Sequence, residues 1–372
     1  MNGQTFGFKA LGSAVLMAAW CQQALADAPN VATDIAPVQS LAAQVMAGVG
    51  SPRLIIQHGA SPHDYQMRPS DASALQEADL VIWIGEELTP SLGRNLDVLA
   101  GSAAKLTLLD LSGTNILPSR NLPVFETDHE DDHHDDEHHD EHDEDKHHDE
   151  HDKDDHHDDK HHDDHHDDEH HDEHDEDKHH DEHDKDAHHE DAHSDHAHAH
   201  AHEGDDPHVW LDPKNAYYWL GEIATKLAEI DPEHAAQYAA NAAAAQADLA
   251  IVIDDIQKEI DASKIGRFIV YHDAYQYFEA RFGITADGAI APSDLQRPSA
   301  ARLATLGEHL KEENVQCIYS EPQFQSGLIS ALQNDGGLAH YVIDPLGSAL
   351  PTGADFYANL VRAVQASLQS CQ

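Results

Sequence analysis

The sequence predicts an α/β protein of two lobes, each a mainly parallel sheet flanked by helices, joined by one long rigid helix. Three observations lead to this fold class. Short β-rich runs alternate with helical patterns early in the chain, the same alternation returns near its end, and one long helical pattern lies between them. Strands that alternate with helices favour parallel pairing, because the crossover helices cover both faces of the sheet.

The first lobe is predicted over residues 27–231. Its apolar runs are short enough for strands, and Pro69 suits the first turn of a helix. We therefore expect, in chain order, a strand in 31–38 leading into a helix at 40–47, a short strand at 53–57, a helix from Pro69 to Glu77, and strands at 80–84 and 106–109.

The linking helix is predicted over residues 232–264. After Pro232 this stretch is rich in Ala, Gln, Glu and Asp and contains no Gly or Pro up to residue 260, so it should form one helix of roughly 45 Å. The second lobe, 265–372, repeats the logic of the first. Its predicted strands, each followed by a helical pattern, lie at 268–271, 317–320 and 341–343.

Residues 1–26 have the pattern of an export signal. Lys9 precedes a short apolar run, and Ala24, Leu25 and Ala26 form a small-residue cleavage site. The apolar run is too short for a membrane span, so we expect free secretion of a chain that begins at Asp27. A lipoprotein signal at Cys21 is disfavoured because bulky Trp20 precedes it.

Removal of the signal leaves Cys317 and Cys371 as the cysteines of an exported chain. An oxidising compartment favours a disulfide between them. A zinc thiolate pair or two free thiols are the alternatives, and both lack the short C-x-x-C spacing that would favour them.

The formal charge of −50 is concentrated in one segment, because residues 126–206 alone carry −35. Within it, residues 129–202 contain 28 histidines, and the 17 letters of His138–Asp154 recur unchanged at His170–Asp186. A segment without apolar clusters cannot bury a core, so we expect a disordered insert. It is either an inert solvated segment or a weak zinc-collecting loop. Without a basic surface elsewhere, nucleic acid is excluded as a partner.

Four residues outside the insert are candidate metal ligands. His63, His208 and His272 lie in loops predicted between a strand and the following helix. Asp344 likewise follows a predicted strand. Because the carboxyl ends of parallel strands face the ligand crevice, these side chains are expected to converge there. Three imidazoles and a carboxylate form a tetrahedral site suited to Zn²⁺.

Six phrases carry a family resemblance: GASPHDYQMRPSDA, LVIWIG, HVWLDP, YHDAYQYFEARFGI, SEPQF and IDPLG. In this order they resemble the zinc-binding substrate-binding proteins of ABC transporters, the cluster A-I or ZnuA family. The resemblance implies metal ligation by His63, His208 and His272, with Asp344 supplying a carboxylate, and a disulfide between Cys317 and Cys371. Several zinc-specific relatives have an acidic residue where this chain has Pro62, so Asp344 or a water must complete the shell.

The resemblance implies a periplasmic protein, not an enzyme, that captures Zn²⁺ and delivers it to an ABC-transporter permease. A periplasmic zinc chaperone is a further expected partner, and the protein is expected to be a monomer. The alternatives are a manganese-binding protein of the same fold, disfavoured by nitrogen-rich ligation, a zinc hydrolase and a surface adhesin. Two H-E-x-x-H matches, at His129 and His189, lie in the insert and follow from its composition.

Overall fold

The computed structural model describes residues 27–120, 204–291, 306, 310, 312–323 and 338–372. The predicted signal peptide, 1–26, and the predicted insert, 129–202, lie outside the described residues. Among the helices of the described part, none is both long and apolar enough to cross a membrane. The boundaries assigned to the lobes and to the linking helix stay predictions.

The first sheet has four parallel strands in the order β2-β1-β3-β4. Its strands are β1 (Val31–Thr33), β2 (Arg53–Leu54), β3 (Leu80–Trp83) and β4 (Ala104–Thr107). Between them run α1 (Ala36–Val45), α2 (Pro69–Gln76) and α3 (Pro90–Leu99), each with a proline in its first turn. Proline is favoured there because the missing N–H would have no partner within the helix.

The second sheet repeats this arrangement, with four parallel strands in the order β6-β5-β7-β8. Its strands are β5 (Phe268–Val270), β6 (Gly288–Ala289), β7 (Cys317–Ser320) and β8 (Ala339–Val342). Helix α6 (Gln276–Phe282) follows β5 and ends at Gly283, whose φ of 70° lies in the left-handed region that glycine tolerates. Helix α7 (Phe356–Leu368) follows β8. The predicted fold class is confirmed.

Two long helices lie between the sheets in sequence, α4 (Pro213–Ile230) and α5 (Ala235–Ala262). They pack against each other, and α5 also contacts α1 and α7. At 28 residues, α5 is about 42 Å long. It begins three residues later than predicted, because Pro232–His234 forms a separate 3-10 turn. Its buried positions recur every three or four residues: Tyr238, Ala242, Ala245, Leu249, Val252, Ile253, Ile256 and Ile260.

Several element boundaries differ from the predictions. Strand β2 ends at Leu54 where 57 was expected, and β8 is Ala339–Val342 where 341–343 was expected. Strand β1 ends at Thr33 and α1 begins at Ala36, four residues before the predicted start, because Pro37 suits a first turn. Strand β4 occupies Ala104–Thr107 where 106–109 was expected. The main hydrophobic core is continuous across both sheets, α4 and α5. A smaller core covers the second sheet and includes Ile269 and Ile318.

The disulfide between Cys317 and Cys371 is present, with an S–S distance of 1.99 Å. It ties the first residue of β7 to the segment that follows α7, and both cysteines are buried. The predicted disulfide is thus confirmed. The zinc thiolate pair and the free thiols are excluded as the state of these two cysteines.

Candidate metal centre

Three of the four predicted ligands meet at one point. His63 lies in the loop between β2 and α2, His208 precedes the 3-10 turn Val209–Leu211, and His272 lies two residues after β5. Each offers one nitrogen, and these three atoms lie within 4.8 Å of one another. His208 and His272 are buried, and His63 is partly exposed.

The spacing of the nitrogens fits a zinc ion. Zinc–nitrogen bonds of about 2.0 to 2.1 Å in a tetrahedron separate neighbouring nitrogens by about 3.3 to 3.4 Å. The Nε2 atoms of His63 and His208 lie 3.3 Å apart. Three neutral imidazoles at this spacing offer three lone pairs to one small divalent cation.

Buried carboxylates stand behind two of the histidines. Asp206 Oδ1 lies 2.7 Å from Nδ1 of His208, and Glu321 Oε1 lies 2.7 Å from Nδ1 of His272. A carboxylate at Nδ1 favours the tautomer with its proton on that nitrogen and leaves the Nε2 lone pair for a metal. His208, whose Nδ1 makes this hydrogen bond, is therefore oriented before any ion arrives, and the Glu321 carboxylate lies at ion-pair distance from His272.

The second sheet explains why His272 and Glu321 are neighbours. They follow β5 and β7, the two strands between which the strand order reverses, and ligand crevices form at that point in open parallel sheets. Tyr275 lies close by: burial raises the pKa of its hydroxyl well above the ordinary value, and the negative charges of Glu321 and Asp344 raise it further. The Tyr275 hydroxyl therefore stays protonated beside the site.

In the first sheet the equivalent position is closed by a carboxylate. Asp34 follows β1, and its two oxygens accept hydrogen bonds from the backbone N–H groups of Ile35 at 2.7 Å and Ile84 at 2.8 Å. Burial raises the pKa of Asp34 from 3.8 to about 7, opposed by these hydrogen bonds. The Asp34 carboxylate thus occupies the position in the first sheet that corresponds to the position of His272 in the second.

Asp344 is not brought into the group of three. Its carboxylate accepts hydrogen bonds from the backbone N–H groups of Leu346, Gly347 and Ser348 and from the Ser348 hydroxyl, at 2.6 to 3.0 Å. These four bonds close the turn after β8. This turn places Pro345 and Leu346 in the wall of the cavity at the three histidines.

The cavity at the histidines is small. The volume open to the centre of a water-sized sphere is about 20 Å³. Pro62, Trp210, Pro345 and Leu346 supply apolar walls, and the Trp210 indole donates a hydrogen bond to the Pro345 carbonyl at 2.9 Å. Walls of this kind lower the local dielectric and strengthen the attraction between a cation and its ligands.

Polar contacts from α6 and the residues before it hold the segments on either side of His208. Arg281 donates to both Asp212 oxygens at 2.7 and 2.6 Å, and the Tyr277 hydroxyl donates to the Asp206 carbonyl at 2.7 Å. Arg120 donates to Asp273 and Glu279 at 2.8 Å. Although burial acts to lower the pKa of Arg120, these carboxylates raise it, so Arg120 stays charged. We call these contacts the α6 clasp.

The match to a family model covers nearly all of the described fold. Residues 31–371 match the family described as ZnuA, zinc-uptake complex component A, periplasmic. The chain belongs to the ZnuA family. The family that the six phrases indicate is thereby confirmed.

Curated ZnuA relatives match nearly the whole length of the chain. The high-affinity zinc uptake system protein ZnuA of Paracoccus denitrificans is 39% identical over 363 residues, which is 97% of this chain and 95% of that protein. The ZnuA protein of Brucella abortus is 38% identical over 360 residues, 96% of each. The alignments therefore cover nearly all of this chain and nearly all of each relative.

Solved structures share the two-lobed fold. A ZnuA crystal structure matches with a TM-score of 0.64 at 20% identity, covering 93% of this chain and 99% of that one. The laminin-binding protein of Streptococcus agalactiae, described as an adhesin with metal-transporting activity, matches with a TM-score of 0.61 at 19% identity, covering 92% and 99%. At such identities the likeness concerns the fold alone.

Sequence patterns did not single out three residues that contribute to the centre: Asp206, Glu321 and Gln323. A signal was present for two of them. Asp206 stands two residues before His208, a spacing at which a carboxylate can turn back to the ring, and Glu321 directly follows β7 as His272 follows β5. The strand-end rule applied to His272 applies equally to Glu321. Gln323 has no comparable signal.

Proposed function

We propose that this protein captures Zn²⁺ in the periplasm with His63, His208 and His272 and delivers it to the permease of an ABC transporter. The convergence of three histidine nitrogens within 4.8 Å is the observation that carries the proposal. The separation of 3.3 Å between two of them suits a tetrahedral zinc ion. Relatives named high-affinity zinc uptake system proteins support the same cargo.

A manganese-binding protein of the same fold is the first alternative. Manganese prefers oxygen ligands, and a set of three imidazoles favours zinc. The carboxylates of Asp206 and Glu321 contact histidine Nδ1 atoms, and Asp344 accepts hydrogen bonds from its own turn. These contacts leave nitrogen as the main donor to the ion.

A zinc hydrolase is the second alternative. Such an enzyme needs an open coordination position together with room for a substrate. The cavity offers about 20 Å³ to a water-sized sphere, which suits a single water and not an ester or a peptide. A screen with phosphate and peptide esters tests this alternative directly, and turnover that depends on zinc would support it.

Further parts of the proposal concern the insert, the partners and Asp344. The 28 histidines of residues 129–202 would collect zinc at weaker sites beside His208. The protein would act as a monomer and would also receive zinc from a periplasmic chaperone. Asp344 as fourth ligand stays a prediction, and its carboxylate would have to give up hydrogen bonds to its turn to reach the ion.

The test is a calorimetric zinc titration of the metal-free protein and of His272→Ala. Loss of one ligand from a preorganised site should weaken the tight site by about 100-fold or more. His234→Ala is the matched control, because His234 Nδ1 also lies 2.7 Å from a carboxylate, that of Asp231, but outside the cavity. Unchanged tight binding by His272→Ala would refute the proposal.

A further inference from the structure

Gln323 presents a polar group to the candidate centre that the ligand set leaves unused. It lines the same cavity as His63, His208 and His272. Its amide oxygen and nitrogen are both shielded from solvent, and neither has a hydrogen-bond partner among the residues that the structure describes. A buried polar group without a partner is energetically costly, so such groups point to a water or an ion.

The three histidines leave one position of a zinc tetrahedron to be filled. Zinc prefers four ligands in a tetrahedron, and a site with three protein ligands takes a water as the fourth. The cavity volume of about 20 Å³ exceeds the roughly 10 to 15 Å³ that one water requires. Asp344 already accepts four hydrogen bonds from its own turn.

We propose that Gln323 is a positioning residue for a water molecule that occupies the fourth coordination position of the bound zinc ion. This inference rests on the proposed function, since it requires Zn²⁺ at the three histidines. A metal-bound water is more acidic than bulk water and is therefore a stronger hydrogen-bond donor. This water donates a hydrogen bond to the Gln323 amide oxygen, for which the described residues offer no partner.

The arrangement makes Gln323 act on affinity through both states of the protein. Without the ion, no described residue supplies a hydrogen-bond partner to its buried amide. In the loaded state the same amide is paired, and it holds the water in place. The difference between the two states strengthens zinc binding and slows zinc release, although Gln323 does not touch the metal.

A neutral amide at position 323 also favours zinc over manganese as the bound ion. A carboxylate at position 323 would offer a charged oxygen ligand, which manganese prefers. The amide oxygen is a weaker ligand and is better used as an acceptor from the water. Gln323 thus keeps the donor set at three nitrogens and one water.

The experiment compares Gln323→Leu and Gln323→Glu with the wild-type protein, with Gln66→Leu as control because Gln66 is an exposed amide on the loop that carries His63. Three quantities are measured: zinc affinity by titration, zinc release rate against a chelator, and the visible absorption spectrum of the Co²⁺-loaded protein, which reports coordination number and geometry.

For Gln323→Leu we expect zinc affinity about 10- to 150-fold weaker, faster release and an altered Co²⁺ spectrum, in line with loss of one hydrogen bond to a charged group. The thermal stability of the metal-free variant should be equal to or above that of the wild type, because leucine removes a buried amide that has no partner among the described residues. Gln323→Glu, which keeps an acceptor, should retain more affinity than Gln323→Leu. A residue that only supports the fold would lower affinity and metal-free stability together.

Four results would overturn the inference. They are wild-type affinity and spectrum in Gln323→Leu, equal losses in the Leu and Glu variants, a parallel loss of metal-free stability, and a Co²⁺ spectrum that changes in Asp344→Ala but not in Gln323→Leu. The last result would make Asp344 the fourth ligand. Failure of the proposed function is separate, since it would appear as weak zinc binding by the wild-type protein itself.

Discussion

The Oδ1 atom of Asp206 accepts hydrogen bonds from both the backbone N–H and the ring Nδ1–H of His208, at 3.0 and 2.7 Å. One carboxylate oxygen therefore fixes the position of the residue and the orientation of its ring. Asp206 is itself held, because its N–H donates to the Leu117 carbonyl at 2.9 Å. The approach of the ion to His208 is thus determined by a chain of hydrogen bonds that begins outside the ligand set.

Asp206→Asn should weaken zinc binding by about 10- to 100-fold, the usual effect of removing the carboxylate partner of a metal-ligating histidine. The affinity is measured by competition with a chelator at neutral pH. Asp205→Asn is the matched control, since Asp205 is the exposed neighbour and carries the same charge. Equal affinities of the two variants would show that net charge, and not the contact to His208, is what matters.

The α6 clasp gives a prediction about stability. Arg281 pairs with Asp212, whose side chain is 1% exposed, so Arg281→Met should leave a buried carboxylate without its cation. We expect the free energy of unfolding to fall by about 1 to 3 kcal/mol, less than for a fully buried pair because Arg281 is 31% exposed.

Arg362→Met is the control for the clasp. Arg362 and its partner Asp255 are each 39% exposed, and an exposed pair contributes about 0 to 1 kcal/mol. Chemical denaturation of the metal-free proteins gives both values. If Arg281→Met lost no more stability than Arg362→Met, the Arg281–Asp212 pair would contribute no more to stability than an exposed ion pair does.

Asp34 predicts a dependence of stability on pH. Its pKa is raised by burial from 3.8 to about 7 in the folded chain, so between these values the folded state holds a proton that the unfolded state has released. The contribution of Asp34 is fully present below pH 4 and is lost as the pH rises through about 7. Each pH unit within this window removes about 1.4 kcal/mol at most.

Asp34→Asn should remove this component. Other carboxyls titrate in the same range, so the quantity to compare is the difference in melting temperature between wild type and variant at pH 4 and at pH 7. The variant is expected to lose less stability than the wild type over this interval. A difference that does not change with pH would contradict a raised pKa for Asp34.

The paired residues on either side of the insert, which we call its root, predict how its deletion affects thermal stability. The Ser119 N–H donates to the Gly204 carbonyl at 2.8 Å, and Pro118 and Asp205 form an antiparallel bridge. The chain therefore leaves and re-enters the body at one place. Deletion of residues 129–202 should leave the melting temperature almost unchanged, because the root stays paired and closure entropy varies slowly with loop length.

The same deletion should reduce zinc stoichiometry to one tight site and slow zinc capture under competition from a chelator. Stoichiometry at neutral pH, for the intact and the shortened protein, is the measurement. Equal stoichiometry would mean that the 28 histidines bind no zinc and that the insert is an inert solvated segment.

Sequence patterns were sufficient where burial decides the structure. The strand at 317–320 was predicted with the bounds it has, since four consecutive buried residues leave little choice. Strand β6, with only Gly288 and Ala289, is too short for any periodicity to show. The start of α1 was predicted four residues late because Pro37 can be placed either before a helix or in its first turn.

For the site, the rule that strand ends face the crevice correctly indicated the edge at which His272 lies. It does not say which way a side chain turns. Asp344 lies beyond a strand end as predicted, yet the backbone N–H groups of its own turn bind both of its oxygens. Such a choice between a turn and a cavity depends on local hydrogen bonds that no spacing in the sequence specifies.

The disulfide between Cys317 and Cys371 anchors the strand whose far end positions a carboxylate at the candidate site. Cys317 is the first residue of β7, and Glu321, which contacts His272, directly follows the last. Closing this 54-residue separation stabilises the fold by about 4 kcal/mol in the chain-entropy model. In a reducing environment the bond is lost, and β7 is then held less firmly. Reduction of the disulfide is therefore expected to loosen the strand end that carries Glu321, the carboxylate next to His272.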